Sequence, residues 1–274
     1  MKNLIYKWLI PLLLAIIFVA ILQIFFIDVL FINIDNKNHI ALILKSKRAK
    51  RGNFILYTKH NDTIIQFNRC VAVPQDNLFI KNSTLFINNF EKSYSNEKHE
   101  FILKSDSNIN LISKYLESNN IEFDKNYAEF SIFNVNLNKK DLKKFKRTKI
   151  FNNINLIYDK NSLYSDDTYP YNKHFYWNKD NFGPIPIPFK GKKISINRIN
   201  YFLYKSIIEI EAGNKFIVKN NKFLLNNKEV LDYTFKENYY FALNDNRSNA
   251  NDSRSYGFIS EKDILAKLIF KIKF

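Results

Sequence analysis

The chain begins with an unbroken apolar stretch, residues 8–27, that contains no charged side chain. A helix rises ~1.5 Å per residue, so this stretch matches the ~30 Å hydrocarbon core of a bilayer. Lys2 and Lys7 precede it as in a secretory signal, but the run exceeds the ~7–15 residues of a signal h-region and no A-x-A cleavage site follows. The pattern therefore predicts an uncleaved transmembrane helix.

After this helix, short stretches rich in β-formers predict strands, among them residues 54–57 and 64–67. Residues 78–89 and 216–227 each contain two alternating stretches around a Lys-Asn dipeptide. Each predicts a β-hairpin in which Asn replaces the usual turn glycine, because Asn tolerates a positive φ. The alternation over residues 268–274 predicts a half-buried final strand.

A different periodicity separates the two hairpins. Helical spacing over residues 109–116 and 137–145 predicts two helices in a small α/β insert. Residues 182–189 hold three prolines, which lack the amide donor, and predict an extended edge strand or crossover. The expected fold is mainly β, with a transmembrane helix, an antiparallel core and this insert. The predicted segments are an anchor over 1–30, the first part of the core over 31–90, the insert over 91–174 and the second part of the core over 175–274.

The strongly basic composition changes this picture little. The formal net charge is +16, but 26 Phe, 16 Tyr and only 5 Gly indicate a bias towards A/T-rich codons, and the lysines are spread along the chain. We therefore expect no nucleic-acid partner. The four His residues are far apart and Cys70 is the single Cys, so neither a metal site nor a disulfide framework is expected. No glycine-rich phosphate loop occurs, and we expect no cofactor.

The most specific motif lies near the C-terminus. Residues 244–257, NDNRSNANDSRSYG, closely resemble the last conserved box of type I signal peptidases, G-D-N-R-D-N-S-x-D-S-R-x-x-G. Residues 68–76, NRCVAVPQD, resemble the family's K-R-x-x-G-x-P-G-D box, and residues 50–56, KRGNFIL, resemble the R-G-D-I-V-V segment before it. The box residues to which the resemblance assigns structural roles are Arg69, Asp76, Asp245, Asn246, Arg247, Asp252, Ser253, Arg254 and Gly257, with Asp252 and Arg254 forming an ion pair. Asn249 also matches the pattern.

The resemblance extends to the long-insert branch of that family and implies a signal-peptidase-like β core. It implies a single-pass protein of the inner (cytoplasmic) membrane, with its C-terminal domain on the outer or periplasmic side. The partners expected are the lipid bilayer and the signal peptides of secretory pre-proteins, which the family cuts after Ala-X-Ala. Basic residues between positions 37 and 51 favour the opposite orientation, because positive charge tends to stay in the cytoplasm.

The residues that carry the family's chemistry are not at their expected positions. By resemblance, a Ser hydroxyl attacks the peptide bond and a neutral Lys amine acts as the base. Asn68 occupies the lysine position, the nucleophile position lies near Asn36, and Ala250 replaces the serine that orients the lysine. Within residues 1–76 the only serine is Ser46. No catalytic residue is identified, and we predict a loss of the dyad with retention of the scaffold.

Several alternatives remain open. Ser46 could be a relocated nucleophile paired with Lys45 or Lys59, although a Lys-rich exposed run would keep an amine protonated. Cys70 could replace the serine, but a lone Cys in an apolar strand is more often a packing residue. The protein could also be a catalytically inactive module that binds extended peptides by strand addition or assists a working peptidase. A further possibility is binding to nucleic acid or anionic lipid.

Overall fold

The computed structural model describes residues 2–34, 37–59, 63–123, 132–148 and 150–273. The described helices are α1 (Lys2–Phe25), α2 (Ile109–Ser118), α3 (Lys139–Thr148), α4 (Arg198–Ala212) and α5 (Ser253–Tyr256). All strand pairs within the sheets are antiparallel. The mainly β fold with an apolar N-terminal helix is therefore confirmed.

Helix α1 is the predicted apolar helix, and it is long and apolar enough to cross a membrane. It ends at Phe25 rather than at the predicted Ile27, because Ile27 already begins the first strand. The Lys45 ammonium donates to the backbone carbonyls of Gln23 at 2.9 Å and Ile24 at 3.1 Å. It thus satisfies carbonyl groups that a helix end leaves without an internal partner.

The largest sheet joins both ends of the chain. Its seven strands are, in spatial order, β1 (Ile27–Ile34), β2 (Lys37–Lys45), β19 (Ile264–Lys273), β3 (Phe54–Thr58), β4 (Ile65–Ala72), β17 (Tyr239–Leu243) and β18 (Ile259–Ser260). The last long strand, β19, lies between β2 and β3. Strand β17 pairs with β4, and this pairing brings the C-terminal motif beside the upstream motif.

Three smaller sheets complete the β core. One contains β11 (Phe182–Pro186), β5 (Asn77–Lys81), β6 (Thr84–Ile87) and β7 (Phe90–Lys92); another contains β13 (Phe216–Lys219), β14 (Lys222–Leu225) and β15 (Lys228–Glu229); β12 (Lys193–Ser195) pairs with β16 (Asp232–Thr234). Both predicted hairpins are present as β5–β6 and β13–β14. Their turns place Asn82 at φ 49° and Asn220 at φ 49°, as the Asn-for-Gly prediction required.

Strand β11 is an edge strand, as predicted from its prolines. Its pairing with β5 shifts register between Phe182 and Ile185. Gly183 lies at this shift with φ 87°, and a Cβ there would approach the Leu78 carbonyl oxygen to 2.7 Å. Only glycine fits this position, because both the backbone conformation and the close approach exclude a side chain.

The insert forms its own small layer. Strands β8 (Lys98–Lys104), β9 (Ile132–Asn138) and β10 (Asn153–Leu156) form a sheet with β8 in the centre. Helices α2 and α3 contribute to the hydrophobic core on one face of it, which consists of Phe101, Leu103, Ile112, Leu116, Phe133, Val135, Leu137, Phe145 and Phe151. The insert is thus confirmed as an α/β unit, and the exact segment boundaries stay predictions.

Two details of the sequence analysis were wrong. Leu137 is not helical, because it continues the strand alternation of β9. The Asn138 side chain accepts hydrogen bonds from the amides of Lys140 and Asp141, so α3 begins at Lys139, two residues after the predicted start. The second error concerns β19, in which Phe270 is 58% and Ile272 55% exposed. The buried hydrophobic clusters include only the first half of β19, through Ile264 and Ala266. Phe270 and Ile272 lie in the second half, outside these clusters.

Candidate functional site

The two sequence motifs meet along the β4–β17 pair. Ala242 faces Cys70 and Leu243 faces Arg69 in this pairing. The loop that follows β17, residues 244–251, therefore returns beside Asn68 on β4. This juxtaposition of residues far apart in sequence creates the candidate site.

Asn68 lies at the centre of the site and is only 3% exposed. Its amide nitrogen donates to the Tyr57 hydroxyl at 3.0 Å and to the Asn251 carbonyl at 3.1 Å. Burial raises the pKa of Tyr57, so its phenol stays neutral. A carboxamide has no basic lone pair at neutral pH, and a neutral phenol is not a base. The position assigned to the catalytic lysine thus holds no group that could accept a proton from a nucleophile.

Of the two other positions that the resemblance assigns to catalysis, the structure describes only Ala250. Ala250 has a methyl side chain, and its backbone carbonyl accepts a hydrogen bond from the Ser255 hydroxyl at 2.8 Å. Ala250 itself offers no hydroxyl that could orient an amine. Asn36, near the expected nucleophile position, lies outside the described residues.

The proposed substitutes for the dyad are engaged elsewhere. The Ser46 hydroxyl donates to the Arg48 carbonyl at 3.1 Å. Lys45 donates to the end of α1, and the Lys59 ammonium lies 3.3 Å from the centroid of the Tyr256 ring. None of these contacts joins Ser46 to either amine, so the geometry of the described residues gives no support to a relocated dyad.

Cys70 is fully buried in the sheet, and burial raises the pKa of its thiol to about 12. The thiolate is the nucleophilic form of cysteine, so this side chain is unreactive near neutral pH. Its sulfur lies 3.6 Å from the Ala72 carbonyl oxygen. These features fit a packing role.

A different serine contacts a lysine, on the surface of the molecule. The Lys139 ammonium donates to the Ser93 hydroxyl at 2.6 Å, and both residues are exposed. A lysine acts as a base only when burial removes its charge near neutral pH. Lys139 is exposed and does not meet this requirement.

The C-terminal motif is organised around a buried ion pair. Arg254 and Asp252 are 1% and 0% exposed, and their Nη2 and Oδ2 atoms are 2.6 Å apart. The Arg254 guanidinium also donates to the carbonyls of Lys179, Arg247 and Asn249 at 3.1, 2.8 and 2.8 Å. These contacts compensate the buried guanidinium charge of Arg254 and hold the loop of residues 244–251 in place.

Two further ion pairs hold the motif to its surroundings. Arg69 binds Asp245 through two hydrogen bonds of 2.7 and 2.6 Å, linking the upstream motif to the C-terminal one. Arg247 Nη2 lies 3.1 Å from Glu97 Oε2, linking the same loop to the segment before β8. Asn246 joins this contact, because it forms a β-bridge with Lys98. The loop is therefore anchored both to the core and to the insert.

The remaining motif residues have structural contacts as well. The Ser253 hydroxyl accepts a hydrogen bond from the Ala242 amide at 3.0 Å. Gly257 has φ 80°, and a Cβ there would lie 2.6 Å from the Tyr169 ring. Asp76 accepts from Arg51 at 2.7 and 2.5 Å. Burial alone would raise the pKa of Asp76, but this bond and others from Val73 and Asn88 lower it overall.

A cleft of about 620 Å³ opens beside Asn68. Seven carboxamide side chains line it, together with three apolar residues, two lysines and one aspartate. The lining residues are Gln66, Asn68, Asn96, Asn138, Asn244, Asn249, Asn251, Phe54, Ile65, Phe67, Lys98, Lys271 and Asp245. No sequence motif pointed to Asn96, Lys98 and Asn138, which belong to the insert.

Comparison with known proteins gives two findings. A family model described as "Signal peptidase, peptidase S26" matches residues 186–273, a region that includes α4, β17, the C-terminal motif and β19. Over 235 residues, the chain is 24% identical to a protein named "Signal peptidase I" from Buchnera aphidicola subsp. Baizongia pistaciae (strain Bp). That alignment covers 81% of this chain and 54% of the relative, so the chain spans about half the length of the curated relative it matches.

Proposed function

Because this chain belongs to the type I signal peptidase family, we propose that it is a membrane-anchored member that binds peptide segments without cleaving them. The observation that carries this proposal is the buried carboxamide of Asn68, whose donors are both engaged at the position assigned to the lysine base. The serine-lysine mechanism requires an uncharged amine at that point. An amide cannot replace it in proton transfer.

Peptide binding is supported by an open strand edge in the cleft. Strand β4 pairs with β3 along residues 65–69, whereas β17 pairs with it only at residues 69–72. On the β17 side, no described strand pairs with residues 65–68, and these same residues line the cleft. An extended peptide could add there as a strand, with main-chain hydrogen bonds giving affinity.

The ligands that fit this proposal are the signal-peptide regions of secretory pre-proteins, as in the family. The proposed location is the inner (cytoplasmic) membrane, with α1 as a single span and the C-terminal domain on the outer side. The helix is apolar enough to span a bilayer. The proposal makes the protein a pseudoenzyme that could act as an accessory to a working peptidase.

The cleavage test uses the full-length protein in detergent and a pre-protein whose signal peptide ends in Ala-X-Ala. We expect no mature product over the time in which an active signal peptidase finishes the reaction. A Ser46→Ala variant should behave identically. Cleavage that survives this substitution would reveal an active site elsewhere, and cleavage abolished by it would reveal a relocated nucleophile; either result overturns the proposal.

The binding test places a photo-crosslinking amino acid at Phe67, inside the cleft, or at Phe90, an exposed aromatic residue on another sheet. The pre-protein should cross-link from position 67 and not from position 90. Equal cross-linking at both positions, or none at position 67, would contradict peptide binding at this strand edge.

A further inference from the structure

A second pocket lies between the edge strand β11 and the start of α4, and it shares no lining residue with the cleft beside Asn68. We propose that this pocket binds a single-chain amphiphile with an anionic head group, such as a fatty-acid carboxylate. The juxtaposition that carries the proposal is that of Trp177 and Arg198 in the lining of one pocket. The inference does not depend on peptide binding in the cleft.

The pocket has the size and the composition of a small-molecule site. Its volume is about 420 Å³, within the ~300–1,000 Å³ that such sites occupy. Among the described residues that line it, two are basic, His174 and Arg198, and none is acidic. An apolar wall with few polar groups favours a ligand that is mostly hydrocarbon. The apolar lining residues are Phe175, Trp177, Pro184, Ile199, Phe202 and Leu203.

The aromatic part of the wall is held by the core. Trp177 is 9% exposed, and its ring centroid lies 4.7 Å from that of Phe182 on β11. The Phe182 ring in turn lies 5.4 Å from the ring of Phe241 on the buried strand β17. The Phe175 ring lies 4.8 Å from that of Trp177. The wall is therefore formed before a ligand arrives, which reduces the entropic cost of binding.

The backbone between these two rings adopts a conformation that a bulky residue rarely takes. Tyr176 follows a short 3-10 turn over Lys173–Phe175 and has φ 48° and ψ 34°. A left-handed backbone in such a residue is unfavourable, and these conformations are concentrated at ligand sites. The Tyr176 side chain is 60% exposed, so its own burial does not explain the conformation. The turn instead brings Phe175 and Trp177 together in the pocket wall.

Arg198 supplies the positive charge of the pocket. It is the first residue of α4, and it is exposed. No ion pair of the described residues includes Arg198. A guanidinium binds a carboxylate or a phosphate through two parallel hydrogen bonds, so Arg198 has donors available for an anionic head group. The arginines that do pair with carboxylates are Arg48, Arg51, Arg69, Arg247 and Arg254.

A hydrocarbon chain and an anionic head together match this lining. The chain would cover the rings of Phe175 and Trp177, and the head would bind Arg198, which is adjacent in sequence to the exposed Ile199 of the wall. A neutral chain would leave the guanidinium without a partner, and a small polar anion would leave the apolar wall in water. Insertion of α1 in a bilayer would keep the pocket near a source of such amphiphiles.

The test uses the fluorescence of Trp177. The chain contains two tryptophans, and Trp8→Phe removes the other one, which is exposed on α1. The probe is undecanoate with a terminal bromine, because bromine quenches tryptophan fluorescence on contact. The corresponding brominated alcohol has the same chain without the charge. Both are titrated into the full-length protein in a neutral detergent, and we expect saturable quenching that is half complete at a lower concentration of the carboxylate.

One pair of variants isolates the charge. Arg198→Gln should raise the carboxylate concentration at half-quenching about fivefold, as expected for the loss of one exposed ion pair, and should leave that of the alcohol unchanged. Arg147→Gln alters an exposed arginine of α3 outside the pocket lining and should change neither. Partition of each probe into micelles is the same for both variants and cancels in this comparison.

A second pair of variants isolates the apolar wall. Ile199→Ser should weaken the binding of both probes, because Ile199 lines the pocket and is 62% exposed. The control is Ile210→Ser, on the same helix, 41% exposed and outside the pocket lining. It should bind both probes as the parent does. Unchanged thermal midpoints show that all four variants are folded.

Several results would overturn the inference. Quenching that rises without saturation indicates partition into the detergent only. An Arg198→Gln variant that binds the carboxylate as tightly as the parent removes the anionic head group, as does equally tight binding of a brominated alkyl trimethylammonium. A leucine-rich peptide that displaces the probe at a lower concentration than unbrominated undecanoate would make the pocket a peptide-docking site. None of these readouts involves cleavage or cross-linking from position 67, so the proposed function is tested separately.

Discussion

Two sites that border the loop of residues 244–251 have opposite chemistry. At one, Asp252 and Arg254 keep a buried pair of opposite charges. At the other, the neutral Asn68 donates to the Asn251 carbonyl and to Tyr57. The charged site is linked to three further carbonyls, whereas the neutral site depends on two ordinary hydrogen bonds.

The difference indicates that the two sites should respond unequally to substitution. Removing one partner of a buried ion pair leaves an uncompensated charge, which costs about 3–5 kcal/mol. Exchanging a buried amine for a carboxamide removes a basic group but leaves a neutral, hydrogen-bonded side chain. We therefore expect the buried ion pair of Asp252 and Arg254 to contribute more to stability than the carboxamide of Asn68.

The largest effect is expected for Arg254→Met, which leaves the Asp252 carboxylate without its guanidinium. We expect the free energy of unfolding to fall by about 3–5 kcal/mol, measured by urea titration in detergent with tryptophan fluorescence. The control is Arg48→Met, which breaks the Arg48–Glu261 pair at 3.2 Å on the surface. It should change stability by less than about 1 kcal/mol. Similar losses in both variants would refute the distinction.

An intermediate effect is expected for Asn68→Leu, which keeps a similar side-chain volume and removes the amide. The Asn251 carbonyl and the Tyr57 hydroxyl would each lose a hydrogen-bond donor. The expected loss is about 1–3 kcal/mol, measured by the same titration. A loss as large as that of Arg254→Met would mean that Asn68 is itself an essential part of the scaffold.

The smallest effect is a change in acid sensitivity at Asp76. Its hydrogen bonds with Arg51, Val73 and Asn88 outweigh burial and lower its pKa below the ordinary value of 3.8. A lowered pKa in the folded state stabilises the protein at pH values above 3.8, and this stabilisation is lost as the pH falls through the folded-state pKa. Asp76→Asn should therefore be less stable than the wild type at neutral pH, and the difference in thermal midpoint should shrink on acidification. A constant difference across the acid range would contradict the assignment.

Local patterns predicted most of the elements correctly. Period-two alternation identified both hairpins, and the Asn residues in their turns have the positive φ that the patterns required. The alternation of β9 continues through Leu137, which the helical spacing over residues 137–145 had wrongly assigned to a helix. Alternation also could not show that Phe270 and Ile272 are exposed, because it identifies the two faces of a strand and not what covers each face.

The amino-acid sequence by itself determined the apolar N-terminal helix, the strand-rich core, the C-terminal motif and the absence of a lysine at position 68. Only the tertiary structure decided that Asn68 meets Tyr57 and Asn251, and that Lys98 of the insert faces the same cleft as Lys271. The physical reason is that strand register and packing, rather than local periodicity, choose which distant residues become neighbours.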